Sequence, residues 1–210
     1  MSDSETEPLM RAVGTLLDVE RSPGLTCTVL DKRWPRGQFH GEPSSVKRRQ
    51  LEFDHAAQTF SLVDTSSPVR VETRYSPDTG YQMIHGDDPT DLPADSPRPL
   101  AVQLLTPSQL DIWGRGSDQW RIASSAQQNG ELLVRAVHRV SPHSRAEIAI
   151  DLGVRLPVRW TAEYEASGGK FEIELADIAL DGPWSFTPWE LGSREREGTL
   201  GADSLGPTST

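Results

Sequence analysis

The sequence has one cysteine in 210 residues, so it cannot form an intramolecular disulfide. A structural zinc site is disfavoured as well, because such sites take several cysteine and histidine ligands. Cys27 lies inside the apolar run at 25–30, which favours a buried and unreactive thiol. At this length the chain is able to bury a hydrophobic core without covalent cross-links.

The chain also lacks any apolar run approaching the roughly 18 residues of a membrane-spanning helix. Its N-terminus is acidic and polar, whereas a secretory signal begins with basic residues followed by an apolar stretch. We therefore expect a cytoplasmic protein without a membrane span, unless an export signal has been removed. The formal net charge of −10 argues against nucleic-acid binding, which requires a basic surface.

No catalytic or cofactor motif is present. The histidines form no HExxH motif and no cluster with the cysteine, and no serine lies in a nucleophile elbow. We expect no metal and no cofactor. His85 beside Asp87 is a weak candidate for a polarised general base. The alternative is an ordinary turn histidine at the end of a hairpin.

The apolar fraction of 35% is low for a globular protein and fits a sheet with one solvated face. Leu9, Val13, Leu16 and Leu17 recur at helical spacing, so a first helix is predicted from Glu7, ending before residue 22. A long surface loop is predicted at 86–99, followed by a helical interlude over 100–113. Alternating apolar residues and turn signals predict strands at 25–34, 46–53, 59–63, 69–75, 80–85, 119–124, 132–140, 146–151, 157–166 and 170–178.

These elements predict an α+β, mostly β fold: a strongly curved antiparallel sheet of nine or ten strands, forming an open half-barrel. A sheet of that width tends to curl, and its concave face needs a cover. The N-terminal helix and the mid-chain helical interlude are the available cover. We expect a disordered N-terminus at 1–6, one domain at 7–189 and a disordered tail at 190–210.

The C-terminal third resembles the LolA-like superfamily of lipoprotein carriers and lipid-binding half-barrels, in its actinobacterial form without a signal peptide. The resemblance is carried by the strands at 133–137, 146–151 and 156–160 and by the hairpin at 164–171. It also rests on the aromatic residues Trp184 and Phe186, which follow the last predicted strand. The segment Leu105-Thr106-Pro107-Ser108-Gln109-Leu110 is similar to a short helix of actinobacterial members.

The resemblance implies a concave face that binds hydrophobic molecules such as acyl chains. If the helical interlude crosses this face, its apolar residues line the cavity together with aromatic residues of the sheet; for Trp113, ordinary helix-to-sheet packing is the alternative. The candidate ligand-binding residues are Leu104, Leu105, Leu110, Trp113, Trp160 and Phe171.

A basic segment stands out in this acidic chain, with only Glu42 opposing its six cations. It is either a solvated strand edge, where charge blocks aggregation, or a docking patch for an anion or an acidic partner. Its residues are Lys32, Arg33, Arg36, Lys47, Arg48 and Arg49.

Three functions remain open. The first is a non-catalytic carrier or sensor that binds an acyl chain, a lipid or an apolar peptide in the concavity. The second is a cytoplasmic biosynthetic enzyme, or an accessory protein, that uses the same cavity on a hydrophobic intermediate. The third is an adaptor that docks an acidic protein or peptide along the basic strand edge.

Overall fold

The computed structural model describes residues 3–38 and 40–182. These residues form one antiparallel sheet of eleven strands, two α-helices and a 3-10 turn. The helices are α1 (Asp3–Val19) and α2 (Leu100–Leu105), and the 3-10 turn is Pro107–Gln109. The strands are β1 (Leu25–Trp34), β2 (Ser45–Asp54), β3 (Thr59–Asp64), β4 (Val71–Ser76), β5 (Gly80–His85), β6 (Asp88–Asp91), β7 (Trp120–Gln128), β8 (Glu131–His138), β9 (Arg145–Asp151), β10 (Leu156–Tyr164) and β11 (Gly169–Leu180).

The sheet consists of two meanders joined along one long strand pair. Its strand order is β6-β5-β4-β3-β2-β1-β11-β10-β9-β8-β7, so each strand except β1 and β11 lies between its sequence neighbours or at an edge. β1 pairs with β2 on one side and with β11 on the other. The pairing of β1 with β11 therefore joins the first and last strands of the described chain and leaves β6 and β7 at the sheet edges.

One face of the sheet, here called the inner face, carries the hydrophobic core. Leu25 lies opposite Phe53 and Cys27 opposite Leu51, and all four residues are buried. The other face, here called the outer face, is polar, because side chains alternate between the two faces along each strand. Lys32, for example, lies opposite Glu172 and forms ion pairs with Glu172 and Glu174.

The helices cover the inner face. α1 buries Ala12, Leu16 and Val19 against β7, β8 and β10. The segment from β6 to β7 must travel from one sheet edge to the other, and α2 lies on its path against β10 and β11. Neither of the described helices is sufficiently long and apolar to pass through a lipid bilayer.

The predicted fold class is confirmed: the protein is mostly β, with an open antiparallel sheet, an N-terminal helix and a mid-chain helical element. One prediction is wrong, because residues 88–91 of the expected loop form β6 and raise the number of described strands to eleven. Gly86, at a φ of 66°, turns the chain so that Asp88 lies opposite His85. Pro89 is tolerated there because an edge strand does not need its missing N–H.

The boundaries differ in smaller ways. α1 begins at Asp3, four residues before the predicted start at Glu7, and the helical interlude is α2 with one 3-10 turn. The predicted domain end at 189, the disordered tail at 190–210 and the aromatic residues Trp184 and Phe186 lie outside the described residues.

Candidate functional site: an aromatic pocket beside α2

A cavity of about 170 Å³ lies on the inner face, between α2, the segment that follows the 3-10 turn, and strands β7, β10 and β11. The strands supply aromatic side chains, and the connecting segment supplies leucines and polar groups. The lining residues are Trp120, Trp160, Tyr164, Phe171, Leu100, Leu110, Gln103, Asp111 and Gln119.

Trp120 is the centre of the aromatic cluster. Its ring meets Trp160 at 6.2 Å and Tyr164 at 5.5 Å between centroids, both edge-on, and Tyr164 stacks on Phe171 at 6.1 Å. These distances and angles are the favourable ones for aromatic pairs. The cluster forms because alternate residues of β10 and β11 turn to the inner face, with Ala162 opposite Phe171 and Trp160 opposite Ile173.

His138 closes the cluster on the side of β8. It lies opposite Trp120 in the strand register, and the two rings meet edge-on at 5.1 Å. Its Nδ1 accepts hydrogen bonds from the backbone N–H groups of Val140 (3.2 Å) and Ser141 (3.1 Å). The proton of the neutral imidazole therefore resides on Nε2.

The side chain of Arg115 fixes the segment that forms one wall of the pocket. Arg115 donates from Nε to Asp118 at 2.9 Å, from Nη1 to the carbonyl of Ser108 at 3.0 Å and from Nη2 to the carbonyl of Leu110 at 2.7 Å. The backbone N–H of Trp120 donates to the backbone carbonyl of Asp111 at 2.9 Å. Leu110 and Trp120, which both line the pocket, are held together by these bonds.

The Asp118 carboxylate, the ion-pair partner of Arg115, is completely buried. Burial by itself would raise its pKa. The backbone N–H and guanidinium of Arg115, with the backbone N–H of Gly114, donate hydrogen bonds to the carboxylate, and the Arg115 charge is adjacent. Together they outweigh burial and hold the pKa of Asp118 below its ordinary value.

The pocket also contains an unsatisfied donor. Trp160 is buried, and its indole Nε1 has no hydrogen-bond partner among the described residues. A buried donor without an acceptor costs about 1–3 kcal/mol. Burial raises the pKa of Tyr164 further above neutral pH, so its hydroxyl is protonated and able to donate, as it is for an ordinary tyrosine.

Three of the six predicted ligand-binding residues line the pocket: Leu110, Trp160 and Phe171. Leu104 and Leu105 are fully buried in the core. Trp113 lies outside the lining, where its Nε1 donates to the carbonyl of Pro107 at 2.7 Å and its backbone bridges to Arg121.

Sequence reasoning missed Trp120 and Tyr164 as pocket residues. The sequence pattern does indicate Tyr164, because this residue lies at an even spacing from Trp160 in a predicted strand and so shares its face. For Trp120 the strand was predicted, but pairing with β8 is what places it opposite His138.

His85 and Asp87 lie elsewhere. Both side chains are exposed at the turn between β5 and β6, and no hydrogen bond joins them among the described contacts. Strands β4, β3, β2 and β1 separate β5 from β11, the nearest strand of the pocket. The structure therefore does not bring this pair to the aromatic cavity.

The basic segment does not form one patch or one edge. β1 and β2 are interior strands, and alternation divides their cations between the two faces. On the inner face, Arg33 and Arg49 flank the buried Asp31 at 3.3 and 3.6 Å. On the outer face, Lys32 pairs with two glutamates, and Arg48 lies 3.5 Å from Asp177. Lys47 and Arg36 are exposed.

The prediction of strand addition along this basic segment is therefore wrong. Both strands already have hydrogen-bonded neighbours on both sides, so their paired backbone groups are not free for a third chain. The cations do not mark an edge.

No protein-family model and no curated protein matches this sequence. Similar solved structures include MucB, at 11% identity and a TM-score of 0.48, with 88% of this chain and 62% of that chain covered. A MucA/MucB complex from Pseudomonas aeruginosa matches at 13% identity and a TM-score of 0.38, covering 83% and 58%. A LolA superfamily protein from Nitrosomonas europaea matches at 8% identity and a TM-score of 0.39, covering 82% and 94%.

A LolA superfamily protein is thus among the solved structures to which this chain is similar; the actinobacterial type stays a prediction. This chain spans about three fifths of the length of MucB. At these identities the likeness concerns the fold alone, and function has to be argued from this chain's own residues.

Proposed function

We propose that the protein is a non-catalytic binding module that holds one apolar group of a hydrophobic ligand in the aromatic pocket. The observation that supports this most directly is a cavity with four aromatic walls and an unpaired indole N–H at Trp160. Ligand sites typically combine apolar and aromatic walls with placed polar groups, and the lining here has both, with Gln103, Asp111 and Gln119 beside the aromatic rings.

The volume of the pocket limits the size of the ligand group that it can hold. An engineered apolar cavity of about 150 Å³ holds one benzene molecule. The pocket, at about 170 Å³, therefore suits one aromatic ring or the end of an alkyl chain. The adjoining inner face is filled by Leu104 and Leu105, so the remainder of an acyl chain or an apolar peptide must extend out of the pocket.

The polar groups suggest a further property of the ligand. The N–H of Trp160 has no acceptor among the described residues, and a ligand oxygen next to the bound apolar group would supply one. An ester, amide or carboxyl oxygen adjoining a short apolar moiety meets this requirement. Acyl lipids and peptides both contain such a group.

The enzyme hypothesis is less well supported. His85 and Asp87, the acid–base pair it relied on, lie four strands away from the pocket along the sheet. His138 does border the aromatic cluster, but its Nδ1 is occupied by two backbone N–H groups.

The test is a ligand series measured on the purified chain. N-acetyl amides of phenylalanine and leucine and straight-chain fatty acids would be titrated, with tryptophan fluorescence and melting temperature as readouts. At a concentration 100 times Kd a ligand stabilises the folded state by about 2.7 kcal/mol. For a domain of this size that corresponds to a rise in Tm of roughly 5–10 °C.

Two variants locate the site. Leu100→Phe enlarges a half-buried wall residue and should abolish the fluorescence response and the rise in Tm. Leu152→Phe, the same change at a half-buried leucine outside the lining, is the control and should leave binding unchanged. Trp160→Phe should weaken amides but not hydrocarbons. The proposal fails if no compound raises Tm, or if Leu100→Phe binds as the parent does.

A further inference from the structure

The two edges of the sheet differ in how they are protected. β6 is a four-residue strand, Asp-Pro-Thr-Asp, with two carboxylates and a proline that lacks an N–H. Short length, charge and proline are the usual devices that keep an edge from pairing with another chain. β7, at the opposite edge, is nine residues long and has no charged residue from Ile122 to Gln128.

The turn between β7 and β8 determines which backbone groups of β7 are free. Asn129 and Gly130 both have positive φ, 51° and 82°, and form a two-residue hairpin turn closed by Gln128 and Glu131. The closing pair of such a turn is hydrogen-bonded, and hydrogen-bonded pairs alternate along an antiparallel ladder. Ser125 and Gln127 therefore direct their N–H and C=O groups away from β8.

Neighbouring elements leave this stretch accessible. Trp113 bridges to the edge at Arg121, and the N–H of Trp120 donates to the carbonyl of Asp111, both before the bulge at Ala123. From Ser124 to Gln128, no described residue pairs with the side of β7 that faces away from β8. α1 contacts β7, but it also contacts β8 and β10, so it lies across the inner face and not beyond the edge. The free edge is the five-residue stretch from Ser124 to Gln128.

Positive charge borders this edge on the outer face, although the chain as a whole carries −10. Arg135 lies opposite Ser124 and pairs with Glu147, whereas Arg121 and Arg145 form no ion pair among the described residues. Arg145 lies opposite Glu163 in the strand register without forming one. Arg135 and Arg145 line a groove of about 650 Å³, whose wall at β7 is formed by the small Ala123 and Ser124.

We propose that β7 is a docking edge for an extended acidic peptide segment of a partner protein, which adds as a further strand beside Ser124–Gln128. The backbone of Ser125 and Gln127 provides the hydrogen bonds. Glutamate or aspartate side chains at alternate positions of the peptide reach over Ala123 and Ser124 to the arginines. This site is independent of the aromatic pocket, which lies on the opposite face of the sheet.

The probe is a labelled seven-residue peptide in which glutamate alternates with threonine or valine, tested beside a counterpart with lysine in place of glutamate. Anisotropy at low salt should show binding of the glutamate peptide only, with affinity decreasing as salt is added, because exposed charges are screened within about 10 Å at 0.1 M. Hydrogen exchange should show slower exchange of the Ser125 and Gln127 amides when the peptide is bound.

A pair of substitutions at one position separates backbone from side chain. Gln127→Pro removes an outward N–H and should weaken binding about three- to tenfold, as expected for one lost hydrogen bond. Gln127→Ala retains that N–H and loses the same side-chain bond to Arg11, so it should bind like the parent. Arg145→Gln should lower the affinity and reduce its salt dependence.

Several results would overturn the proposal: no binding of the glutamate peptide, equal binding of the lysine peptide, or unchanged binding by Gln127→Pro. Protection of Ser125 and Gln127 that increases with protein concentration and without peptide would mean that a second copy of the chain occupies the edge instead. Melting curves of the Gln127→Pro and Gln127→Ala variants confirm that both are folded before binding is compared.

Discussion

Replacing His55 with phenylalanine should destabilise the protein by about 2–4 kcal/mol, because a somewhat larger apolar ring replaces both hydrogen-bonding nitrogens. His55 joins three elements: its Nε2 donates to the carbonyl of Leu105 at the end of α2 (2.7 Å), and its Nδ1 accepts from the Ser22 hydroxyl after α1 (2.8 Å). The residue itself lies in the turn between β2 and β3. Because a carbonyl can only accept, the proton must lie on Nε2, which makes Nδ1 the acceptor.

The magnitude follows from what the substitution leaves behind. Phenylalanine preserves the edge-on contact with Phe53, which is 4.4 Å between ring centroids in the parent. It leaves the Ser22 hydroxyl and the Leu105 carbonyl without partners in a buried environment, since Ser22 and His55 are 4% and 6% exposed. Each unpaired buried group costs about 1–3 kcal/mol.

Urea denaturation measures the effect as a decrease in the midpoint of roughly 1–2 M, with an unchanged slope. A double-mutant cycle gives the sharper result. Ser22→Ala should destabilise the parent, yet in the His55→Phe background it removes a hydroxyl that is already unpaired. The double variant should therefore be more stable than the sum of the single effects by about 1 kcal/mol. Additive effects, or a loss below about 0.5 kcal/mol for His55→Phe, would refute the three-element connection.

Two further predictions concern titrating groups. Because the pKa of Asp118 is lower in the folded than in the unfolded state, its stabilising effect is complete above about pH 4 and is lost as pH falls through the folded pKa. Urea titrations from pH 2 to 7 should show a smaller acid-induced loss of stability for Asp118→Asn than for the parent. Equal losses would contradict this assignment. Burial raises the pKa of Cys27 to about 12, so at pH 8 a thiol reagent should label this residue only as fast as the protein unfolds. Sub-denaturing urea should increase the labelling rate. Rapid labelling of the native protein would disprove the burial of Cys27.

Alternation of apolar residues was sufficient to predict ten of the eleven described strands and which of their residues face inward. It predicted strands at 157–166 and 170–178, and with them Trp160 and Phe171 as inner-face aromatics, because period two is a local property of the chain. The missed strand β6 shows the limit of this method. Its sequence, Asp-Pro-Thr-Asp, has turn-like composition, and only the hairpin geometry at Gly86 pairs it with β5.

The pocket itself could be predicted only in part. Leu104, Leu105 and Leu110 are equally apolar in the sequence, yet only Leu110 lines the cavity, while the other two fill the core. The difference depends on how the segment between β6 and β7 crosses the inner face. That path is fixed by contacts such as those of Arg115 with the carbonyls of Ser108 and Leu110, which no periodicity encodes.

Edge strands are the feature that local sequence predicts least well. The basic residues of β1 and β2 looked like a protected edge, but β1 has a second neighbour, β11, more than 130 residues later in the chain, at Glu172 opposite Lys32. Lys32 lies on the outer face of this interior strand, where it pairs with two glutamates of β11. Conversely, the uncharged stretch of β7 would suit an interior strand by composition, yet topology places it at an edge. That mismatch between composition and position, visible only once the strand order is known, is the reason to look for a partner at β7.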